Sequence, residues 1–471
     1  MPDFNYDVIV LGAGAGGLTV AREAASFGLK VGLAEKGMLG GENWSIPTKA
    51  IIHAAGIAKS IKMAQSIGLD VQLPHLEFKK VLDHMQNVYK TIGAHKSKES
   101  VEKQGITLLQ GFASFTDQNT IDVDGEKFTA KKFCVATGSR TAIPAIEGLK
   151  ETGCLTIETL FSLEKMPESL LIAGGGPTGL EISQVYARFG CKVTVLEISE
   201  RLLPEKDPEL GPIMEKALSE EGIDLILGCE IKKFYNKEGK KAALVSLQGT
   251  EKEVMADQIL IAAGRIPSIA TLDLKLARVK YSKKGITVDE HLRTTSPNIW
   301  ACGDAIGPYQ SVHAAAYQAG IVVANMVFRW PKKANYDLLP FCVFTDPEVA
   351  TLGLTEKTAK EKGIRFETVR FDFKDLDRAI CDDSEIGFLK LLIRKGKIIG
   401  ATCVGSDAGN IIPELILAAS AKLSLSKISK AIHIYPTLAQ INLQAVNKYL
   451  SNKQPGPFSK KLARFMFNLF N

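Results

Sequence analysis

The sequence predicts an α/β fold in which two strand–turn–helix–strand units follow one another and an α+β module closes the chain. Three observations lead there. The apolar run Val8–Leu11 ends in Gly12, Gly14 and Gly17, an apolar helical pattern follows, and a second apolar run closes on Glu35. The arrangement returns where Leu170–Ala173 leads into Gly174, Gly176 and Gly179, and Val193–Leu196 closes on Glu197. The step from first glycine to acid is 23 residues in both copies (12 to 35 and 174 to 197), a coincidence that two unrelated turns would not produce. Third, from about Tyr336 to Asn447 the pattern is strands and then helices, with no further copy.

Each copy reads as a Rossmann-like dinucleotide-binding fold. The first glycine permits the tight turn, the second lets the backbone approach a pyrophosphate, and the third lets helix and strand pack closely. The helix N-terminus then offers free N–H groups and the positive end of its dipole to phosphate. Glu35 and Glu197 stand where a carboxylate accepts from ribose hydroxyls. At Glu197 that charge would repel a 2′-phosphate, which favours a dinucleotide without one. Arg201, four residues on, reads as a solvated helix charge.

Between and beyond the copies, the order is as follows. Lys36–Gly41 is a glycine turn, and Ile46-Pro47-Thr48-Lys49 leads into an apolar helix. Helical patterns run from His53 to Ile67 and from Phe78 to Glu102. A turn at Asp124-Gly125 joins two strands, the second ending in Phe133-Cys134-Val135-Ala136-Thr137-Gly138-Ser139-Arg140. The second copy closes with Ala263-Gly264-Arg265-Ile266-Pro267. A strand then ends at Cys302-Gly303-Asp304, and a helical run begins at His313.

Bulk properties narrow the function classes. At 471 residues the chain has room for about three domains. With 45% apolar and 23% charged residues it has an ordinary globular composition, and no run of 18 apolar residues or secretory leader is evident. The formal charge of +6 is too mild to imply nucleic acid. Eight cysteines stand at least 20 residues apart, which suits neither a metal site nor a disulfide framework and fits a reducing cytoplasm.

Together these segments resemble the flavoprotein pyridine nucleotide-disulfide oxidoreductases, a family that includes dihydrolipoamide dehydrogenase, glutathione reductase, mercuric reductase and soluble transhydrogenase. The resemblance extends to about residue 450. It implies an FAD-binding domain from residues 1–150 and 271–335, an NAD(P)-binding domain from 151–270, and an α+β interface domain, 336–450, that makes a homodimer. A basic-aromatic tail, 451–471, remains. By resemblance, FAD is held by Gly12, Gly14, Gly17, Glu35, Lys36, Gly41, Ala136, Thr137 and Gly138. Ala113 lies by the adenine, Asp304 on the ribityl chain, and His313 begins a helix that approaches the flavin. Gly174, Gly176, Gly179, Glu197 and Gly264 hold NAD(H). Lys49 and Glu181 match the family's ion pair beside the flavin N5, where a cation stabilises the charge that develops as the ring takes a hydride.

Two departures redirect the functional reading. The family's Cys-x-x-x-x-Cys belongs between Gly41 and Ile46, where this chain has Glu42-Asn43-Trp44-Ser45, about three residues short, and its first cysteine is Cys134. The family's catalytic histidine and its carboxylate correspond to Tyr435 and Gln440. A phenol with an ordinary pKa of ~10 is a poor base for a thiol at neutral pH, and an amide cannot stabilise an imidazolium. His433, two positions away, reads as structural. Machinery for filling the flavin is kept while the dithiol outlet is gone, so the expected activity is an FAD-dependent NAD(P)H:acceptor oxidoreductase.

A planar acceptor such as a quinone would stack on a flavin face reshaped by Trp44 and opened by Pro177 at the family's gating-aromatic position. Tyr435 and Gln440 would serve it as hydrogen-bonding groups. Alternatives are a transhydrogenase, against which Glu197 speaks, and a non-catalytic FAD- and NAD-binding descendant. The tail after Pro457 alternates aromatic and aliphatic residues with Lys460, Lys461 and Arg464 and holds no acid. That pattern suits either an interfacial helix on an anionic membrane or a segment docked on protein.

Overall fold

In the computed structural model, residues 4–40, 44–72, 75–453 and 457–470 are described. The chain forms two compact units, residues 1–200 with 221–335, and residues 201–220 with 336–471.

The first unit holds two parallel sheets. Val8, Ile9, Val10 and Leu11 are buried on both faces of strand Tyr6–Leu11, as an apolar β-branched run requires at the centre of a parallel sheet. This strand pairs with Val31–Glu35 on one side and Glu126–Val135 on the other, with Ile106–Gln110 beyond the former. Strand Ile299–Ala301 adds to Glu126–Val135 in parallel, so the chain returns to the first sheet after the whole second copy. The antiparallel hairpin Thr120–Val123 to Glu126–Val135 turns through Asp124 (φ 48°) and Gly125 (φ 94°), both in the left-handed region that a two-residue hairpin needs. The second sheet runs in the order Asp224–Leu227, Lys192–Glu197, Ser169–Ala173, Gln258–Ile261, all parallel, beside a three-stranded antiparallel meander over Cys229–Ala256.

The helical pattern from Phe78 to Glu102 is not one helix. It stops at Gly93, and a new helix, Lys98–Glu102, starts where the Ser97 side chain accepts from the Ser100 N–H at 3.2 Å. The helix after the glycine turn begins at Ser45, with Pro47 tolerated in its first turn.

In the second unit a five-stranded antiparallel sheet, Pro340–Val343, Glu348–Gly353, Lys397–Gly405, Phe388–Arg394 and Glu367–Asp372 in spatial order, carries helices Ala408–Ser420 and Gln440–Ser451. Residues 201–220 join it through Lys390, whose buried ammonium lies 2.5 Å from Asp207, 3.0 Å from Glu356 and 3.1 Å from Glu209. A cation buried there needs such partners. Arg201 lies ahead of helix Leu210–Glu220 rather than on it, and donates to the Pro204 carbonyl at 2.5 Å. Helix Pro457–Phe470 exposes every side chain from Lys460 to Leu469. No helix among the described residues is long and apolar enough to cross a membrane.

Candidate functional site

The two glycine turns are built alike. At Gly12 φ is +96° and a Cβ would lie 2.5 Å from the Ala136 carbonyl oxygen; at Gly17 it would lie 1.8 Å from that of Gly12. In the second copy φ at Gly174 is +120°, and the corresponding approaches are 2.5 Å to Ala262 and, from Gly179, 2.0 Å to Gly174. Any side chain at these positions would part strand from helix. The middle glycines behave differently. Gly14 and Gly176 are helix N-caps without a side-chain cap, and a Cβ on either would meet nothing within 4 Å. Open space over uncapped N–H groups fits a pyrophosphate.

The acids that end the second strands also clamp these turns. Glu35 accepts from the Ala13 N–H at 2.7 Å on one oxygen and from Gly37 at 2.8 Å on the other. Glu197 accepts from Gly175 at 2.6 Å and from Ser199 at 2.8 Å. Each carboxylate is therefore held in place by backbone and keeps lone pairs for ribose hydroxyls.

A cavity of about 220 Å³ opens from the first turn, lined by Gly12, Glu35, Lys36, Ala113 and Thr137 among others. The Lys36 ammonium lies 5.3 Å from the Phe112 ring centroid at its mouth. The Thr137 hydroxyl is buried without a hydrogen-bond partner among the described residues, next to Gly138 (φ 68°) and to Ala136, whose N–H donates to Leu11 at 2.8 Å. A buried hydroxyl without a partner beside an open nucleotide cradle is a group that a ligand would satisfy. These residues fit an FAD adenosine and pyrophosphate.

Asp304 belongs to a network that sequence reasoning missed. Ser139 donates to the Asp304 carboxylate at 2.5 Å, Arg265 donates to the Ser139 hydroxyl at 2.7 Å and to its carbonyl at 2.8 Å, and Arg265 lies 3.4 Å from Glu158. Burial would raise the Glu158 carboxyl, but hydrogen bonds from Thr141 and Thr156 with the nearby guanidinium hold it below the ordinary range. The signal available was Arg265 directly after Gly264 (φ 104°), at the strand end where the second copy closes. His313 is exposed at the start of helix Val312–Met326, within 3.2 Å of Ser311, the N-cap. Gly41, with Glu42 and Asn43, lies outside the described residues.

Lys49 and Glu181 meet. Helix Ser45–Ala64 packs on helix Pro177–Arg188, and the ammonium lies 2.8 Å from a carboxylate whose side chain is only 6% exposed. Pro177 occupies the first turn of the second of these helices. Trp44 lies 6.0 Å from Phe161 between ring centroids, and its indole N–H is buried with no partner among the described residues.

In the second unit the expected pair does not meet a base. Tyr435 is exposed and donates to Asp377 at 3.0 Å, which raises its phenol above the ordinary value and leaves still less phenolate to act as a base at neutral pH. Gln440 opens helix Gln440–Ser451. His433 instead finds a carboxylate from another helix: its Nε2 lies 2.9 Å from Glu414 and its Nδ1 3.0 Å from the Ala431 carbonyl. Burial opposes charge on this ring, yet the Glu414 and Ala431 oxygens outweigh it and raise the imidazole above its ordinary value. Glu414 is held in turn by the Asn442 amide at 2.8 Å.

All eight cysteines are free thiols. Cys134 and Cys302 approach to 3.9 Å on neighbouring strands, fully buried, where the shared hydrogen bond and burial push the Cys134 thiol well above its ordinary value. Burial pushes Cys191 up to about 12. Neither environment yields a thiolate near neutral pH.

Comparison with known proteins places the whole arrangement. Residues 6–319 match the family described as Pyridine nucleotide-disulphide oxidoreductase, and residues 339–445 match the dimerisation domain of the same family. A mercuric reductase of Lysinibacillus sphaericus is 33% identical over 443 residues, 93% of this chain and 81% of that protein. A dihydrolipoyl dehydrogenase of Geobacillus stearothermophilus is 34% identical over 455 residues, 93% of this chain and 95% of that protein. The solved structure of the HOCl-induced flavoprotein disulfide reductase RclA from Escherichia coli superposes with a TM-score of 0.84 at 26% identity, covering 94% of this chain and 99% of that one.

Proposed function

The chain belongs to the pyridine nucleotide-disulphide oxidoreductases, FAD-dependent enzymes that use NAD(P)H, and from that premise we propose that it passes electrons from NADH through flavin directly to a quinone-like acceptor, without a redox disulfide. In balance, NADH, a proton and a quinone give NAD⁺ and the hydroquinone. The observation that carries this reading is a contrast within one segment: the Lys49–Glu181 pair stands at 2.8 Å, while the residues ahead of it from Gly40 to Ile46 contain no cysteine.

FAD supplies a ring that takes a hydride and gives up electrons singly or in pairs. The chain's own residues do the rest. Lys49 favours negative charge at the accepting ring edge, and Glu181, buried beside it, fixes the ammonium in place. Asp304, positioned by Ser139 and Arg265, would hold the ribityl chain, while Glu35 and Glu197 would hold the two adenosine riboses. Charge at Glu197 makes NADH the preferred donor. Tyr435 and Gln440, reaching from the other subunit of the homodimer, would offer hydrogen bonds to the acceptor, and Pro177 and Trp44 would shape the faces open to nicotinamide and quinone.

In this reading residues 1–150 with 271–335 bind FAD, 151–270 bind the nicotinamide nucleotide, and 336–450 form the homodimer interface, for which the dimerisation-domain match and the exposed Ile432, Ile434 and Tyr435 are the support. Helix Pro457–Phe470 is a peripheral membrane contact, its cations flanking exposed Leu462, Phe465 and Leu469. The test is anaerobic stopped flow. NADH bleaches the bound flavin, and a soluble quinone restores its colour with no dithiol present. A flavin that NADH leaves oxidised would overturn the reading, and hydride exchange between NADPH and an NAD⁺ analogue faster than quinone reduction would assign a transhydrogenase instead.

A further inference from the structure

The first unit carries a surface feature that neither nucleotide site uses. Phe27, just past helix Ala15–Ser26, meets Phe328 edge-on at 4.7 Å between centroids, and Phe328 stacks on Trp330 at 4.8 Å. All three rings are exposed, Phe27 by 55% and Trp330 by 63%. Together the rings form one contiguous exposed apolar patch, the kind that on a monomer is often functional.

The stack is held rigidly. Asn325, itself buried, donates to the carbonyls of His291 at 3.0 Å and Lys332 at 2.8 Å and accepts from the Lys332 N–H at 2.9 Å. The Trp330 N–H donates to Ala324 at 3.1 Å. Presentation of the rings is thus part of the fold and not the accident of a loose loop.

Basic side chains lie on and beside the segment that carries the stack. Lys132 donates to the Met326 carbonyl, and its ammonium lies 5.8 Å from the Trp300 ring centroid, over which Arg293 also sits at 5.6 Å. Arg329 lies between the two stacked rings in sequence and is exposed. Burial first, and then the nearby Arg329 and Arg293, hold Lys132 below the ordinary lysine value. Of the acids nearby, Glu290 is paired with Lys333 at 2.6 Å, and Asp289 accepts the backbone N–H groups of His291 and Arg293 at 2.9 Å each. Glu23 stands one turn before Phe27 and is half-buried.

We propose that the Phe27–Phe328–Trp330 stack, rimmed by Lys132, Arg293 and Arg329, is a docking surface for an anionic phospholipid bilayer. Aromatic rings of this type settle at the headgroup level, and cations beside them meet the negative surface potential. The surface is distinct from helix Pro457–Phe470.

The experiment uses the FAD-loaded full chain and a form lacking residues 457–471, each with and without Phe328→Ser/Trp330→Ser, co-sedimented with vesicles of phosphatidylcholine alone or mixed with phosphatidylglycerol. Trp330 fluorescence is followed in parallel. Expected is binding to the mixed vesicles only, weakened by salt, with a blue shift of emission that Trp330→Phe abolishes. The double substitution should lower the partition coefficient by roughly tenfold or more in both chain lengths. Because both side chains are exposed, NADH should bleach the flavin of every variant alike, which separates loss of docking from loss of fold. Equal binding by the double variant, equal binding to neutral vesicles, or loss of self-association in place of lipid binding would each overturn the proposal. If removing 457–471 changes nothing while the double substitution abolishes binding, the tail contact falls and this surface stands. The reverse result removes this surface alone.

Discussion

Two contacts between a basic side chain and a carboxylate, of nearly equal length, set the ends of this molecule apart. Lys49 meets Glu181 at 2.8 Å and His433 meets Glu414 at 2.9 Å. The first joins two helices that flank the nucleotide turns, at positions where the family keeps an ion pair. The second joins a histidine displaced from the family's position to an acid on an unrelated helix, and both ring nitrogens are engaged. An imidazole tied at both nitrogens has no free site from which to move a proton. On the proposed reading, the difference teaches that the end which fills the flavin is kept as a working unit, while the end that would empty it through thiols is surface and scaffold.

The largest effects should therefore fall at the first end. Lys49→Met and Glu181→Gln are each expected to slow NADH-driven flavin bleaching about 10²-fold in anaerobic stopped flow, the scale for removing one preorganised charge at a reacting atom. Next in size, Glu197→Gln should lower the ratio of kcat/KM for NADH over NADPH about tenfold, equivalent to ~1.4 kcal/mol, as measured with both donors under steady-state conditions. The same substitution at a merely structural acid would lower both together.

At the rebuilt end the effects should be small. Tyr435→Phe and Gln440→Leu are expected to leave flavin bleaching unchanged and to shift the acceptor KM by about three- to tenfold, the worth of one hydrogen bond. A hundredfold loss of turnover in Tyr435→Phe would erase the contrast between the two ends. The smallest effect is a pH dependence of stability. The folded imidazole of His433 is raised above its ordinary value, so its contribution is complete below ~6.5 and is lost as pH rises through the folded value. Denaturant midpoints should fall slightly from acid toward alkaline pH, and His433→Gln should remove that portion of the fall.

Much of the nucleotide architecture could be read in the sequence because it is local. Turn glycines and closing acids lie within one strand–helix–strand unit, and the backbone clamps at Glu35 and Glu197 follow from the same spacing. Lys49 and Glu181 are far apart in the chain, and only the resemblance paired them. Where neither local pattern nor resemblance applied, the reading stopped. Ser139, Glu158 and Arg265 come from three segments and join only because strand Arg265–Pro267 pairs with Ser139–Thr141. Glu414 as the partner of His433 depends on how helix Ala408–Ser420 lies on its sheet. Phe27 and Trp330 sit at opposite ends of the first unit's sequence and become one patch through the packing of helices Ala15–Ser26 and Val312–Met326. The break after Gly93 falls where residues 95–100 carry no apolar side chain to continue the buried face of Phe78, Leu82 and Met85.

The central claim, a flavin that fills from NADH and empties without a thiol pair, is tested most directly by counting electrons. A flavin takes two and a redox disulfide takes two more. Anaerobic titration of the fully oxidised enzyme, followed by flavin absorbance and by thiol assay, should reach its end at one equivalent of NADH per FAD with no new thiols formed. An end point at two equivalents, with two thiols appearing, would contradict the account.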